Sequence, residues 1–125
     1  MNATKEIGLR FVRGSGLKMS VYADADYAVA SNDRRFVSEV AVMLGDTAIG
    51  WKSSMQKYVT TAACEAEYVA LCDASKEAFF MRAVLVFLQP DLTGMRMEIF
   101  GDNEGAKAIA ANPSSAFPTF ISFGV

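Results

Sequence analysis

Apolar and polar positions alternate with a period of two in the first part of the chain. Between residues 17 and 27, Met19, Val21 and Ala23 fall on one side of this pattern, and Asp24 falls on the other. Such alternation predicts a strand with one buried face. Three further segments have the composition or alternation of strands: residues 7–12, 36–44 and 47–53.

The hydrophobic pattern changes to a helical period after residue 61. From residue 62 to residue 88, small and apolar side chains recur every three or four positions, which predicts a long helix that ends before Pro90. A strand is predicted at residues 95–100 and a short helix at residues 103–111. The chain therefore has three or four strands, a long helix, a strand and a helix, and a β-β-β-α-β-α order predicts an α/β fold with a mixed sheet. A right-handed crossover then places the strand after the long helix parallel to the first long strand.

Length and composition indicate a single domain. The chain has 125 residues, of which 52% are hydrophobic, so it can bury a core and disorder is not expected. We therefore treat residues 1–125 as one domain. Residues 1–16 are predicted to form a leader strand and turn, and residues 114–125 are an apolar tail without a clear period.

Charge, histidine and cysteine content narrow the function classes. The formal net charge of −2 argues against strong autonomous binding to nucleic acid, although affinity can come from a fused neighbour. The sequence has no histidine, which excludes histidine-based triads and the usual zinc sites.

Cys64 and Cys72 lie roughly 12 Å apart on one predicted helix, too far for a disulfide, so we expect an intracellular protein that is not secreted. No membrane span is expected, because Arg82 interrupts the short apolar run at residues 78–88.

Three acidic residues occupy positions that a fold can bring together. Asp24 ends an apolar strand pattern, Glu67 lies near the start of the long helix, and Asp102 lies where a strand meets a helix. Carboxylates gathered at close range repel one another, so such a group indicates a site for hard divalent cations. A pair of metal ions held by carboxylates is a standard means of cutting phosphodiester bonds.

Plainer explanations stay open for these acids. Each can be a solvated surface side chain, and Asp26, on the same strand face as Asp24, can be a neighbour of the site. Glu65 and Glu67 point about 200° apart on a helix, so only one of them easily faces the sheet, and periodicity favours neither strongly. Trp51 is predicted to be in the core or half-buried, and not to stack on a base.

Several short motifs follow one another along the chain. They are Tyr-Ala-Asp-Ala-Asp-Tyr-Ala at residues 22–28, Asp-Arg-Arg at 33–35, Ile-Gly-Trp-Lys-Ser at 49–53 with Gln56-Lys57 after it, Glu-Ala-Glu-Tyr-Val-Ala-Leu at 65–71, Asp-Asn-Glu-Gly-Ala at 102–106, and Asn112-Pro113. In this order and spacing they resemble the ribonuclease H domain of copia-type LTR retrotransposon polyproteins. Residues 4–9 also resemble the segment that joins reverse transcriptase to that domain.

The resemblance implies a ribonuclease H-like fold and an endonuclease that cleaves the RNA strand of RNA–DNA hybrids with two Mg²⁺ or Mn²⁺ ions. The catalytic, metal-binding acids of the family fall on Asp24, Glu67 and Asp102, which selects Glu67 over Glu65. The resemblance also implies a domain fused to, or derived from, a reverse transcriptase. The candidate substrate contacts are Arg34, Arg35, Gln56 and Asn103, and for the first three a solvated position is the plainer explanation.

The tail departs from that family. In the family a basic, histidine-containing segment with a fourth carboxylate follows the Asn-Pro motif, whereas residues 114–125 contain neither an acid nor a histidine. A missing fourth carboxylate weakens a metal site. The alternative function is therefore a catalytically weak or inactive, domesticated module that binds a protein or nucleic-acid partner. The apolar tail can cover the sheet or mediate a homodimer.

Overall fold

The computed structural model describes residues 8–10, 18–27, 35–112 and 121–124. Its elements are β1 (Met19–Tyr27), β2 (Phe36–Leu44), β3 (Thr47–Met55), α1 (Ala63–Leu88), a short 3₁₀-helix (Pro90–Gly94), β4 (Met97–Phe100), α2 (Glu104–Ala111) and β5 (Ile121–Gly124). The strands form one mixed sheet in the spatial order β3-β2-β1-β4-β5. The α/β class and the β-β-β-α-β-α order are confirmed, with one additional strand at the end.

The pairing of the central strand β1 sets the topology. β1 pairs antiparallel with β2 and parallel with β4, as the predicted crossover through the long helix requires. β2 and β3 form a hairpin whose turn contains Gly45 with a φ of 59°. Glycine adopts this left-handed conformation without the steric cost that a Cβ would add. The mixed sheet therefore joins an antiparallel hairpin to a parallel half.

The core lies on one face of the sheet, beneath both described α-helices. Alternate residues of β1 point into it, so that Met19 and Val21 are fully buried while Tyr22 on the opposite face is half exposed. The buried side of α1 is rich in small residues, which let the helix approach the sheet closely. Those residues are Ala66, Ala70, Ala74 and Ala78, and Ala106 and Ala110 of α2 join the same cluster.

Two parts of the chain differ from the sequence predictions. Residues 8–10 have no regular secondary structure, and the rest of the strand predicted at residues 7–12 lies outside the described residues. Part of the tail, for which no element is predicted, forms β5, which pairs parallel with β4 and buries Ile121. Because this side chain packs in the core of its own chain, the homodimer predicted through the tail receives no support.

The prediction that Trp51 is in the core or half-buried is wrong. Its side chain is 75% exposed. In the strand register Trp51 pairs with Ala41, and Ala41 pairs with Tyr22, so all three lie in one row on the sheet face opposite the core. A period of two reveals that a strand has two faces, but not which face the helices cover.

Helix α1 is the longest helix in the described part of the chain, with 26 residues. The sequence predicts that the apolar run at residues 78–88 is a buried helix end. The run does form the C-terminal part of α1, but most of it is not buried, and Phe80, Phe87 and Leu88 are largely exposed. Within the described ranges, no helix has both the length and the apolar character needed to cross a bilayer.

Candidate metal site

The parallel pairing of β1 with β4 brings two of the predicted acids together. Tyr22 pairs with Phe100, the last residue of β4. Asp24 and Asp102 each lie two residues further along the chain, so they come side by side beyond the carboxyl end of β4. Asp24 lies inside β1, which continues to Tyr27, and Asp102 lies in the connection to α2.

Glu67 reaches the same point from the first turns of α1. One carboxylate oxygen from each of Asp24, Glu67 and Asp102 lies within 4.8 Å of the other two. Glu65, two residues earlier on the helix, is exposed, whereas Glu67 is half-buried. The structure therefore brings the three predicted acids together and shows which of the two helix glutamates faces them.

Close packing at Gly101 supports this arrangement. A Cβ at Gly101 would lie 3.2 Å from Cδ2 of Leu71 and 3.8 Å from the carbonyl oxygen of Ala23. The first distance is shorter than an ordinary contact between carbon atoms, so a larger residue here would push against α1 one turn after Glu67. The absence of a side chain at this position lets the β4–α2 connection bring Asp102 close to α1.

Burial and neighbouring negative charge raise the pKa of Glu67 from 4.5 to about 7. Loss of hydration is the largest cause, followed by the charges of Asp102 and Asp24, and Asp26 adds a smaller effect. The backbone N–H of Ala25, which donates a hydrogen bond of 2.9 Å to Oδ1 of Asp24, has the opposite effect and lowers the pKa of Glu67. The site therefore disfavours the full negative charge of its carboxylates unless a cation compensates it.

These residues fit a hard divalent cation. Their ligand atoms are all carboxylate oxygens, the donor type that Mg²⁺ and Mn²⁺ prefer. Oxygens bound to one Mg²⁺ at about 2.1 Å are roughly 3–4 Å apart, so small side-chain rotations from the observed 4.8 Å limit are sufficient. A bound cation would also remove the repulsion that raises the pKa of Glu67.

The predicted substrate contacts occupy different environments. Arg34 lies outside the described residues, and Arg35 is half-buried immediately before β2. Asn103 follows Asp102, and its side-chain oxygen accepts a hydrogen bond of 2.9 Å from the backbone N–H of Ala106, which caps α2. Contact with a substrate stays a prediction for the arginines and for Asn103.

The burial of Gln56 contradicts its predicted contact with substrate. Its side chain is 4% exposed. Its Nε2 donates hydrogen bonds to Oγ of Ser38 at 3.0 Å and to the carbonyl oxygen of Ala66 at 2.9 Å. A side chain enclosed in this way reaches an external ligand only if the fold opens. The polar composition around Gln56 predicts a connection but does not reveal that its side chain turns inward.

An aromatic cavity beside the acids was not predicted from the sequence. The rings of Tyr22 and Phe100 stack with 5.1 Å between their centroids. Together with Trp51 they line a cavity of about 820 Å³ that extends to Asp24 and Asp102. The sequence could have indicated this surface, because parallel pairing of the strands predicted at residues 17–27 and 95–100 can put Tyr22 and Phe100 side by side.

Comparison with known proteins identifies relatives of the chain. Over 110 residues, 88% of its length, it is 33% identical to the "Retrovirus-related Pol polyprotein from transposon RE2" of Arabidopsis thaliana and 34% identical to the corresponding polyprotein from transposon RE1. The crystal structure of LC11-RNase H1 in complex with RNA/DNA hybrid matches 82% of this chain and 67% of that chain, with a TM-score of 0.52 and 19% identity. The chain is a ribonuclease H-like domain of the retrotransposon Pol polyprotein family.

This ribonuclease H-like domain spans only 8% and 7% of the length of those two polyproteins. The similarity to LC11-RNase H1 shows the shared fold alone. No protein-family model matches the chain. A relative of a different kind is "Secreted RxLR effector protein 161" of Plasmopara viticola, which is 33% identical over 81 residues, 65% of this chain and 57% of that protein.

Proposed function

We propose that this domain is a metal-dependent endonuclease that hydrolyses the RNA strand of RNA–DNA hybrids. The observation that carries the proposal is the approach of Asp24, Glu67 and Asp102 to within 4.8 Å of one another. The ribonuclease H-like fold and the Pol polyprotein relatives support an activity of the ribonuclease H type. The choice of substrate is supported by LC11-RNase H1, which shares the fold and forms a complex with an RNA/DNA hybrid.

In the proposed mechanism the three acids would hold two Mg²⁺ or Mn²⁺ ions. Such ions would supply an activated water and stabilise charge on the leaving oxygen of the phosphodiester. The contribution of the chain is to keep the carboxylates in position, because Asp24 is held in the central strand, Glu67 on α1 and Asp102 in the short connection between β4 and α2. Ligands carried by separate rigid elements are positioned more accurately than ligands on one loop.

Affinity for the hybrid is expected to depend on neighbouring domains. The net charge of −2 gives this domain little attraction for a phosphate backbone. The Pol polyprotein relatives are far longer than this chain, which supports our proposal that the domain works in a polyprotein with reverse transcriptase.

A second candidate function is that of a non-catalytic module that binds a protein or nucleic-acid partner. The relative described as a secreted RxLR effector favours it, because the matched segment makes up 57% of that protein. The domain type therefore also occurs in a protein that is not a Pol polyprotein. The lack of acids in residues 114–125 points in the same direction.

Cleavage of a labelled RNA–DNA hybrid distinguishes the two functions. We expect the RNA strand to be cut in millimolar Mn²⁺ or Mg²⁺, and the DNA strand and an all-DNA duplex to stay intact. Asp102→Asn should abolish cleavage, because an amide cannot supply the negative charge that the ions require. Glu65→Gln, which alters an exposed acid on the same helix as Glu67, should retain it. At a domain concentration where binding of the hybrid is measured, cleavage no greater than that of Asp102→Asn would rule out the enzyme and favour the module.

A further inference from the structure

Gln56 is a buried polar side chain near the acids that the proposed chemistry does not use. It follows β3 directly, and its backbone N–H donates a hydrogen bond of 2.8 Å to the carbonyl oxygen of Phe36. The start of β2 therefore holds its backbone. Its side chain, which is 4% exposed, lies between the sheet and α1.

The side-chain amide connects two positions that adjoin the acids. Its Nε2 donates to the carbonyl oxygen of Ala66, the residue before Glu67, at 2.9 Å. The same nitrogen donates at 3.0 Å to Oγ of Ser38, which pairs across the sheet with Ala25, the residue after Asp24. Because a carbonyl oxygen only accepts hydrogen bonds, the amide nitrogen must be the atom that faces the helix.

The first turn of α1 has little else to fix its position. Its N-cap residue, Ala62, makes no side-chain capping hydrogen bond. Its packing contacts at this end come from the small side chains Ala66 and Ala70, with Leu71 and the partly buried Tyr68 beside them. Such smooth apolar surfaces hold a helix against a sheet, but a directional hydrogen bond resists sliding and rotation more strongly.

Burial of Gln56 is not explained by stability alone. Among the described residues, its Oε1 is buried without a hydrogen-bond partner. An unpaired buried acceptor has an energetic cost, so burial alone does not favour an amide at this position. Of the two polar atoms of the amide, only the donor Nε2 makes hydrogen bonds in the structure.

We propose that Gln56 is a positioning residue for the metal site. By tying α1 to β2, it keeps the Glu67 carboxylate within reach of Asp24 and Asp102. This inference rests on the proposed function, because it concerns the same acids. It adds that the affinity of these acids for a divalent ion depends on a side chain that touches neither the ion nor the substrate.

The test compares Mn²⁺ affinity in two variants that each lose a buried hydrogen bond. Gln56→Met keeps the approximate volume but removes the donor to the helix. Ser75→Ala is the matched control, because Ser75 is also buried and donates to the carbonyl oxygen of Leu71 within α1 without connecting the helix to the sheet. Titration calorimetry on the whole chain should show Mn²⁺ affinity about tenfold weaker in Gln56→Met, the low end of losses reported for residues that orient metal ligands. Affinity in Ser75→Ala should stay within about twofold of wild type.

Amide hydrogen exchange in EDTA gives a readout that does not depend on metal. We expect faster exchange in the first two turns of α1 for Gln56→Met than for Ser75→Ala. Wild-type Mn²⁺ affinity in a folded Gln56→Met protein would overturn the positioning role and leave the proposed function intact. Wild-type protein that binds no Mn²⁺, or that binds it no better than Asp102→Asn, would overturn both. If Gln56→Met does not melt cooperatively, Gln56→Leu takes its place, because it also removes the donor to Ala66, and an affinity equal to wild type there would refute the inference.

Discussion

Replacing Glu67 with glutamine removes one negative charge from the acid cluster with little change of shape. We expect metal-free Glu67→Gln to be more stable than wild type at pH 8 and to bind Mn²⁺ poorly. The reason is the crowding of three carboxylates whose ligand oxygens lie within 4.8 Å in a half-buried position. A neutral amide relieves both the repulsion and the loss of hydration.

The raised pKa of Glu67 sets the size and the pH range of this effect. The folded protein holds the proton up to about pH 7, whereas the unfolded chain releases it near pH 4.5. Stability from this group is therefore greatest below pH 4.5, falls as the pH rises from 4.5 to about 7, and stays low above that range. The gap of roughly 2.5 pH units sets an upper limit of about 3.4 kcal/mol. Solvent screening of this partly exposed side chain lowers the expected gain to about 1–2 kcal/mol.

Urea unfolding at pH 5 and pH 8, both in EDTA, measures the effect. Glu67→Gln should exceed wild type in free energy of unfolding at pH 8, and most of the difference should disappear at pH 5. The control is Glu65→Gln, which removes an exposed acid from the first turn of α1. It should be less stable than wild type by about 0.3–1 kcal/mol at both pH values, because it loses a favourable interaction with the helix N-terminus.

Added Mn²⁺ should reverse the order of the two proteins, because only the wild type keeps all three carboxylates for the ion. Equal stability of wild type and Glu67→Gln at pH 8 in EDTA would refute the reasoning, since it would mean that the acids do not crowd one another in the folded chain.

Two further substitutions test the packing and capping around the site. Leu71 is a core position that is 1% exposed, so Leu71→Ala should lower the free energy of unfolding by about 2–5 kcal/mol in urea titrations. A loss below about 1 kcal/mol would contradict the burial of Leu71 against the sheet. Asn103→Ala removes the cap of α2 and should lower the stability to thermal unfolding by about 1 kcal/mol. Asn103→Ser keeps a capping oxygen and should lose less stability. Equal losses in the two variants would argue against the capping role of Asn103.

The main elements were predictable where their periodic patterns are long. β1 alternates over nine residues and α1 keeps a helical period over 26, so both follow from the sequence with small shifts at their ends. β5 was missed because a strand of four residues at the edge of a sheet is too short to show a period. Its existence depends on pairing with β4, which is distant in the sequence from the tail.

Tertiary contacts decided which polar side chains belong to the site. The sequence favours a solvated Gln56 and a core or half-buried Trp51, yet Gln56 is enclosed between β2 and α1 while Trp51 is exposed on the open face. The difference arises because both described helices pack against one face of the sheet. No local pattern in the sequence records which face that is.

The sequence by itself determined the alternation of β1, the helical period of α1, and the presence of acids at Asp24, Glu67 and Asp102. Those features depend on neighbours along the chain, because alternation and helical period follow from local backbone geometry. Only the tertiary structure decided that the three acids meet, because their meeting requires the parallel register of β1 with β4 and the phase of α1 above them. The raised pKa of Glu67 is likewise a product of burial and of charges that lie far apart in the sequence.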